Sequence, residues 1–129
     1  MKLFIILILL FPSFISAQET QTQTEKVAAL KEAAGRGEQI FGGIMLAQKC
    51  KILEQNEYNS YELKARSIVE VLKKVAGQEK VNVMVQRAQI GIMTEPYIEC
   101  GEESKKFIMA SKMFVEKTYS ILSLSLIHI

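Results

Sequence analysis

Two hydrophobic patterns follow one another along this chain. From Leu3 to Phe11 every residue is apolar, Pro12 breaks the run, and the small residue Ala17 follows a few positions later. From Thr24 onward apolar positions instead recur at three- and four-residue intervals, at Val27, Leu30, Ala34, Phe41, Ile44 and Ala47, the period of a helix with one buried face. Gly35, Gly37, Gly42 and Gly43 interrupt that stretch, and each costs roughly 1 kcal/mol against alanine in a helix interior. The pattern predicts two helical pieces, about Thr24 to Ala34 and Glu38 to Leu53, with a break near Gly35-Arg36-Gly37.

EQNEYNSYEL reads as a loop, with Asn59 and Glu62 at the spacing of a capping box that opens the next helix. That helix is expected to bury Leu63, Ile68, Val71, Leu72 and Val75 and to stop at Gly77. In QEKVNVMVQRAQIGIM the segment VNVMV alternates like a strand, while Val81, Met84, Val85, Ala88 and Ile92 fit a helix. Helix is the better assignment, because a lone five-residue strand would find no partner elsewhere in the chain. This helix either ends near Met93 or bends at Pro96 and reaches Cys100, with Gly101 as its cap. A last helix, about Glu102 to Tyr119, would bury Phe107, Ala110, Phe114 and Val115. The fold class is all-α: a small bundle of four to five helices.

The apolar run at the start has the form of a secretory signal peptide over residues 1–17, with Lys2 before it and Ala17 at the cleavage position. It is shorter than the roughly 20 residues that cross a bilayer, so no membrane span is expected after its removal. Residues 18–23 then form a flexible mature N-terminus ahead of a helical domain at 24–123, a single-domain length. The whole chain carries 16 basic and 14 acidic residues; loss of Lys2 leaves 15 against 14. So even a balance argues against a nucleic-acid partner, which needs a basic face to displace counterions from phosphates. Export places Cys50 and Cys100 in an oxidising, periplasmic or extracellular setting, where an even pair closes into one bridge. Neither cysteine sits in a C-x-x-C redox motif, and two thiols fall short of a structural zinc site.

Composition narrows the chemistry further. The chain has no aspartate and no tryptophan, and its one histidine is His128. Ser-His-Asp catalysis, Cys-His catalysis and histidine-based metal sites are thereby set aside, and no cofactor is expected. GRGEQIFGG resembles a phosphate-cradling loop only superficially, since no strand precedes it and no Gly-Lys-Ser/Thr follows. Close packing of the Gly42-Gly43 face on a neighbouring helix explains those glycines better. Met109 and Met113, four apart, are placed to offer two thioethers to Cu(I), yet without histidine or cysteine nearby they are better read as packing residues. Two functional readings remain. Met84, Met93, Met109 and Met113, with Met45, would line an adaptable surface for a protein or peptide partner in the cell envelope. The alternative is a hydrolase of an envelope polymer that uses Glu95 and Glu99 as a carboxylate pair.

Segments with IMLAQKC near the end of one helix and YIECG after a later one, behind a leader, resemble the small single-disulfide helical periplasmic proteins of Gram-negative bacteria. The resemblance spans roughly Gly37 to Met109 and implies a periplasmic location without implying an activity. At the other end, LSLIHI, Leu124 to Ile129, resembles the in-frame translation of a sequencing-adapter end. On that reading His128 has no functional role, and the natural chain continues differently after about Ser123.

Overall fold

The computed structural model describes residues 23–127, with side chains described through Ser123. The leader expected at 1–17 and most of the N-terminal segment expected at 18–23 lie outside the described residues, and residue 23 already belongs to a helix. Five helices and no strand make up the described residues. They are α1 (23–35), α2 (Gly37–Cys50), α3 (Gln55–Ala76), α4 (Gln78–Ile92) and α5 (Glu102–Ile127).

The break expected at Gly35-Arg36-Gly37 is a kink. Only Arg36 leaves helical geometry, at φ −114° and ψ 24°. The backbone ladder runs on through it: Arg36 N–H donates to Glu32 O at 3.0 Å, and Arg36 O accepts from Ile40 N–H at 3.1 Å. Helix α2 ends at Cys50, three residues before the expected Leu53, with Lys51 in the left-handed conformation donating to Ala47 O. Gly77 alone joins α3 to α4. Its φ of 98° reverses the chain at low cost only because it lacks a Cβ. Its N–H donates to Lys73 O and its carbonyl accepts from Val81 N–H, so both flanking helices are closed by one residue.

The capping box expected at Asn59 does not form. Helix α3 starts four residues earlier, after the extended Glu54, and the polar stretch is helical throughout. Its side chains satisfy one another at helical spacing, with Gln55 Nε2 donating to Asn59 Oδ1 at 2.8 Å and Arg66 pairing with Glu62 at 2.6 Å. The buried stripe of α3 is Tyr61, Ala65, Ile68 and Leu72. Leu63, expected inside, is 67% exposed because it lies about 140° around the helix from Ile68. Val71 is half-buried, and Val75, in the last turn, is also exposed. The assignment of VNVMV to a helix holds, with Val81 and Ala88 buried and Met84, Val85 and Ile92 half-buried. Of the two endings considered for α4, the chain takes the first: the helix ends at Ile92 and turns occupy the residues up to Cys100.

Helix α5 runs beyond the expected Tyr119, and its backbone is helical to Ile127. Its inner face is Ser104, Ile108, Ser111, Val115, Thr118 and Leu122, a strict alternation of four- and three-residue steps. Phe114 and Val115 are buried as expected, Phe107 is half-buried, and Ala110 faces solvent. Ala110 is apolar but lies one residue, about 100°, off that face. Ser111 takes its inner position because α2 comes too close there for a larger residue. A Cβ on Gly43 would stand 2.2 Å from Ser111 Oγ and 2.3 Å from the Tyr61 hydroxyl. Tyr61 and Ser111 are fully buried and hydrogen-bonded to each other. The close packing expected of the Gly42-Gly43 face is found at Gly43, where α2, α3 and α5 meet. Helices α4 and α5 each pack on α2 and α3 but not on one another.

The Cys50–Cys100 bridge is formed, with a Cα–Cα distance of 5.4 Å. It ties the end of α2 to the turn segment ahead of α5. Among the described residues no helix is long and apolar enough to cross a membrane.

Candidate functional site

Because α4 and α5 do not meet, the surface of α2 between them stays open. Gly42 lies on that surface, and the gap above it is a cleft of about 460 Å³. Its walls are Gly35, Arg36, Glu38, Gln39 and Gly42 from the α1–α2 side, and Arg87, Ala88, Gly91 and Ile92 from α4. Phe107 of α5 and Tyr97 from the turn segment close one end, their ring centroids 5.2 Å apart and the planes tilted by 60°. Missing side chains make the room: a Cβ added at Gly35 or Gly91 would meet nothing within 4 Å, and one at Gly42 would come 3.3 Å from the Phe107 ring. A concave, largely apolar hollow of this volume with a few convergent polar groups has the anatomy of a ligand site.

Tyr97 holds its place through contacts along the whole turn. Thr94 bonds back to Gly91 O through its hydroxyl at 2.7 Å, and Tyr97 N–H donates to Thr94 O at 2.9 Å. Lys49 Nζ reaches from α2 to Ile98 O at 3.3 Å. Three residues beyond Tyr97, the bridge fastens Cys100 to Cys50. The Glu95–Pro96 peptide bond in this segment is cis.

Charge is unevenly spread around the opening. The Arg36 guanidinium lies over the Phe114 ring at 5.0 Å and meets Glu32 at 3.7 Å, while Arg87 meets Glu38 at 3.5 Å. Both ion pairs are long and solvent-exposed, the kind worth about 0–1 kcal/mol. Gly35, Glu38 and Arg87 also border a second hollow of about 280 Å³, continued by Ala34, Gly37, Lys80, Val83 and Met84. The two hollows make one groove along the α2–α4 face, with three cations, Arg36, Arg87 and Lys80, against one carboxylate, Glu38. A third hollow, of about 250 Å³ between α2 and α3, carries one charge of each sign, Glu62 and Arg66, paired with each other.

The residues singled out from sequence divide between these places. Cys50 and Cys100 are together in the bridge that secures the cleft's turn segment. Met84 lines the second hollow, half-buried against Gly37. Met93 is 71% exposed just beyond α4, and Met109 and Met113 project into solvent from α5, so the structure does not gather the four methionines into one groove. Glu95 and Glu99 flank Tyr97 in the turn segment and are exposed, and neither borders the cleft. Gly42 and Gly43 lie inside α2, where their amides belong to the helix and form no phosphate cradle. The residues that build the cleft, Arg36, Arg87, Gly91, Tyr97 and Phe107, carry no motif; their only sequence signal is the pairing of glycines with arginines on α2 and α4.

Titration separates the closed seam from the rest. Burial pushes the Tyr61 hydroxyl well above its ordinary value; the bond to Ser111 opposes the shift only partly. Tyr58, at the third hollow, is raised to about 12 by partial burial and by its hydrogen bond to Glu62. No protein-family model, curated protein or solved structure matches this chain significantly.

Proposed function

We propose that this chain is an exported, non-enzymatic helical protein that binds a protein or peptide partner in the cleft between α2 and α4. The single observation that carries the reading is the cleft itself: a largely apolar hollow of about 460 Å³, closed at one end by Tyr97 and Phe107 and lined by two arginines. Its side chains offer apolar surface and guanidinium groups, the equipment of recognition. Its one carboxylate, Glu38, stands against Arg87. The leader pattern at 1–17 and the Cys50–Cys100 bridge, which leaves no free cysteine among the described residues, support a periplasmic or secreted location.

Gly91 supplies the test. A Cβ there meets nothing within 4 Å and Gly91 lines the hollow, so Gly91→Phe is expected to plug the cleft and leave the core intact. Peptides selected by display on the parent protein are expected to lose binding to Gly91→Phe and to keep it with Leu63→Ser, a change on an exposed face of α3. Equal binding to the plugged variant would refute the cleft as the site.

A further inference from the structure

We infer that the partner segment is an extended acidic peptide carrying one large apolar anchor residue. This rests on the cleft being the binding site and adds the chemistry that the site reads. The two hollows lie in line along the α2–α4 face and share Glu38 and Arg87 as their common wall, so a ligand filling both is elongated. Only the first has an aromatic end, formed by Tyr97 and Phe107. One bulky side chain fits there, and the rest of the segment passes the shared wall towards Lys80.

Charge decides the remaining positions. Three cations and one carboxylate border the groove, whereas the hollow between α2 and α3 is neutral. The existing pairs do not block exchange. Glu38 stands 3.5 Å from Arg87 and Glu32 3.7 Å from Arg36, both on the solvent side, so a ligand carboxylate replaces or shares them at little cost. Arg36 is also held in position by the Phe114 ring, which limits the ordering that binding must impose. A basic segment would meet Arg36 in the first hollow, Arg87 at the shared wall and Lys80 in the second.

The test uses three capped hexapeptides around one phenylalanine, with glutamate, glutamine or lysine elsewhere, each carrying a charge-neutral dye and read by fluorescence anisotropy. At low salt the acidic peptide is expected to bind about tenfold more tightly than the neutral one, and the basic one least, with the gap closing at high salt. Arg87→Glu and Lys80→Glu are each expected to cut acidic-peptide affinity by about fivefold or more and to shrink the ratio of acidic- to neutral-peptide affinity, which loss of groove surface alone would not move. Lys80 is exposed, so its variant keeps the test valid if Arg87→Glu does not fold. Equal affinity for the acidic and neutral peptides, with both lost in Gly91→Phe, would overturn the charge inference and leave the cleft reading standing. An acidic preference that persists in Gly91→Phe, or no binding by any of the three, would overturn the inference outright.

Discussion

Gly42 and Gly43 are neighbours in α2, yet they face two different interiors. Gly43 looks into the seam with α3 and α5, where Tyr61 and Ser111 leave no room for even a methyl group. Gly42 looks into the cleft, where the nearest obstacle to a methyl group is the edge of the half-buried Phe107 ring at 3.3 Å. The seam is closed by complementary small residues and buries all of Tyr61; the cleft is open because α4 and α5 stay apart. The same substitution one residue apart therefore has opposite meaning: on one side it damages the fold, on the other it changes the lining of the cleft proposed to bind a partner.

The largest effect should come from the bridge, which crosses 50 residues of chain and closes the cleft's end without entering the seam. Replacing both Cys50 and Cys100 by serine is expected to lower stability by about 4 kcal/mol, measured by urea denaturation. It should also weaken ligand binding beyond the loss of folded protein, since the Tyr97 segment then keeps only the exposed Lys49–Ile98 hydrogen bond to α2. Next is the glycine pair. Gly43→Ala is expected to cost about 2–3 kcal/mol, because Ser111 and Tyr61 must move in a filled interior. Gly42→Ala should stay within about 1 kcal/mol of the parent, the helix gain offsetting slight crowding of Phe107. Equal costs at the two positions would erase the distinction.

Alkali probes the seam through Tyr61. An unfolded tyrosine ionises near pH ~10, while buried Tyr61 keeps its proton well above that. Above about pH 10 the unfolded chain sheds a proton that the folded chain retains, so stability is full below that pH and falls as pH rises beyond it. Tyr58, raised to about 12, acts in the same direction. In a spectrophotometric titration, phenolate formation at Tyr61 is expected to coincide with loss of helical circular dichroism; Tyr61→Phe should remove that component. The smallest effect belongs to the cleft rim. Gly91→Ala adds a methyl group in open space near the end of α4 and is expected to raise stability by about 0.5–1 kcal/mol.

Much of the scaffold was legible from residue pattern: the helical class, the bridge, the ending of α3 at Gly77 and the close packing at Gly43, though not the opposite exposure of Gly42 to the cleft. The places that were not legible share a cause. EQNEYNSYEL reads as a loop by composition, yet Tyr58, Tyr61 and Ala65 carry a three- and four-residue stripe through it, and tertiary burial of Tyr61 outweighs weak propensity. In α5 the inner face includes Ser104, Ser111 and Thr118, which a search for apolar residues passes over; at Ser111 it is small size, set by the approach of Gly43, that qualifies the residue. The cleft was less legible still. Arg36, Arg87, Tyr97 and Phe107 lie far apart in sequence and meet because α4 and α5 both pack on α2 and the turn segment between them is fastened back to the end of α2. No periodicity records such a meeting.

Heteronuclear NMR titration with the acidic, phenylalanine-bearing hexapeptide tests the central claim most directly, because glycine amides report on both sides of α2. Saturable shifts are expected at Gly35, Gly42, Gly91 and Tyr97, with Tyr61 and Ser111 left in place. No saturable shift at those cleft amides, or shifts confined to the exposed Met109 and Met113 face of α5, would contradict it.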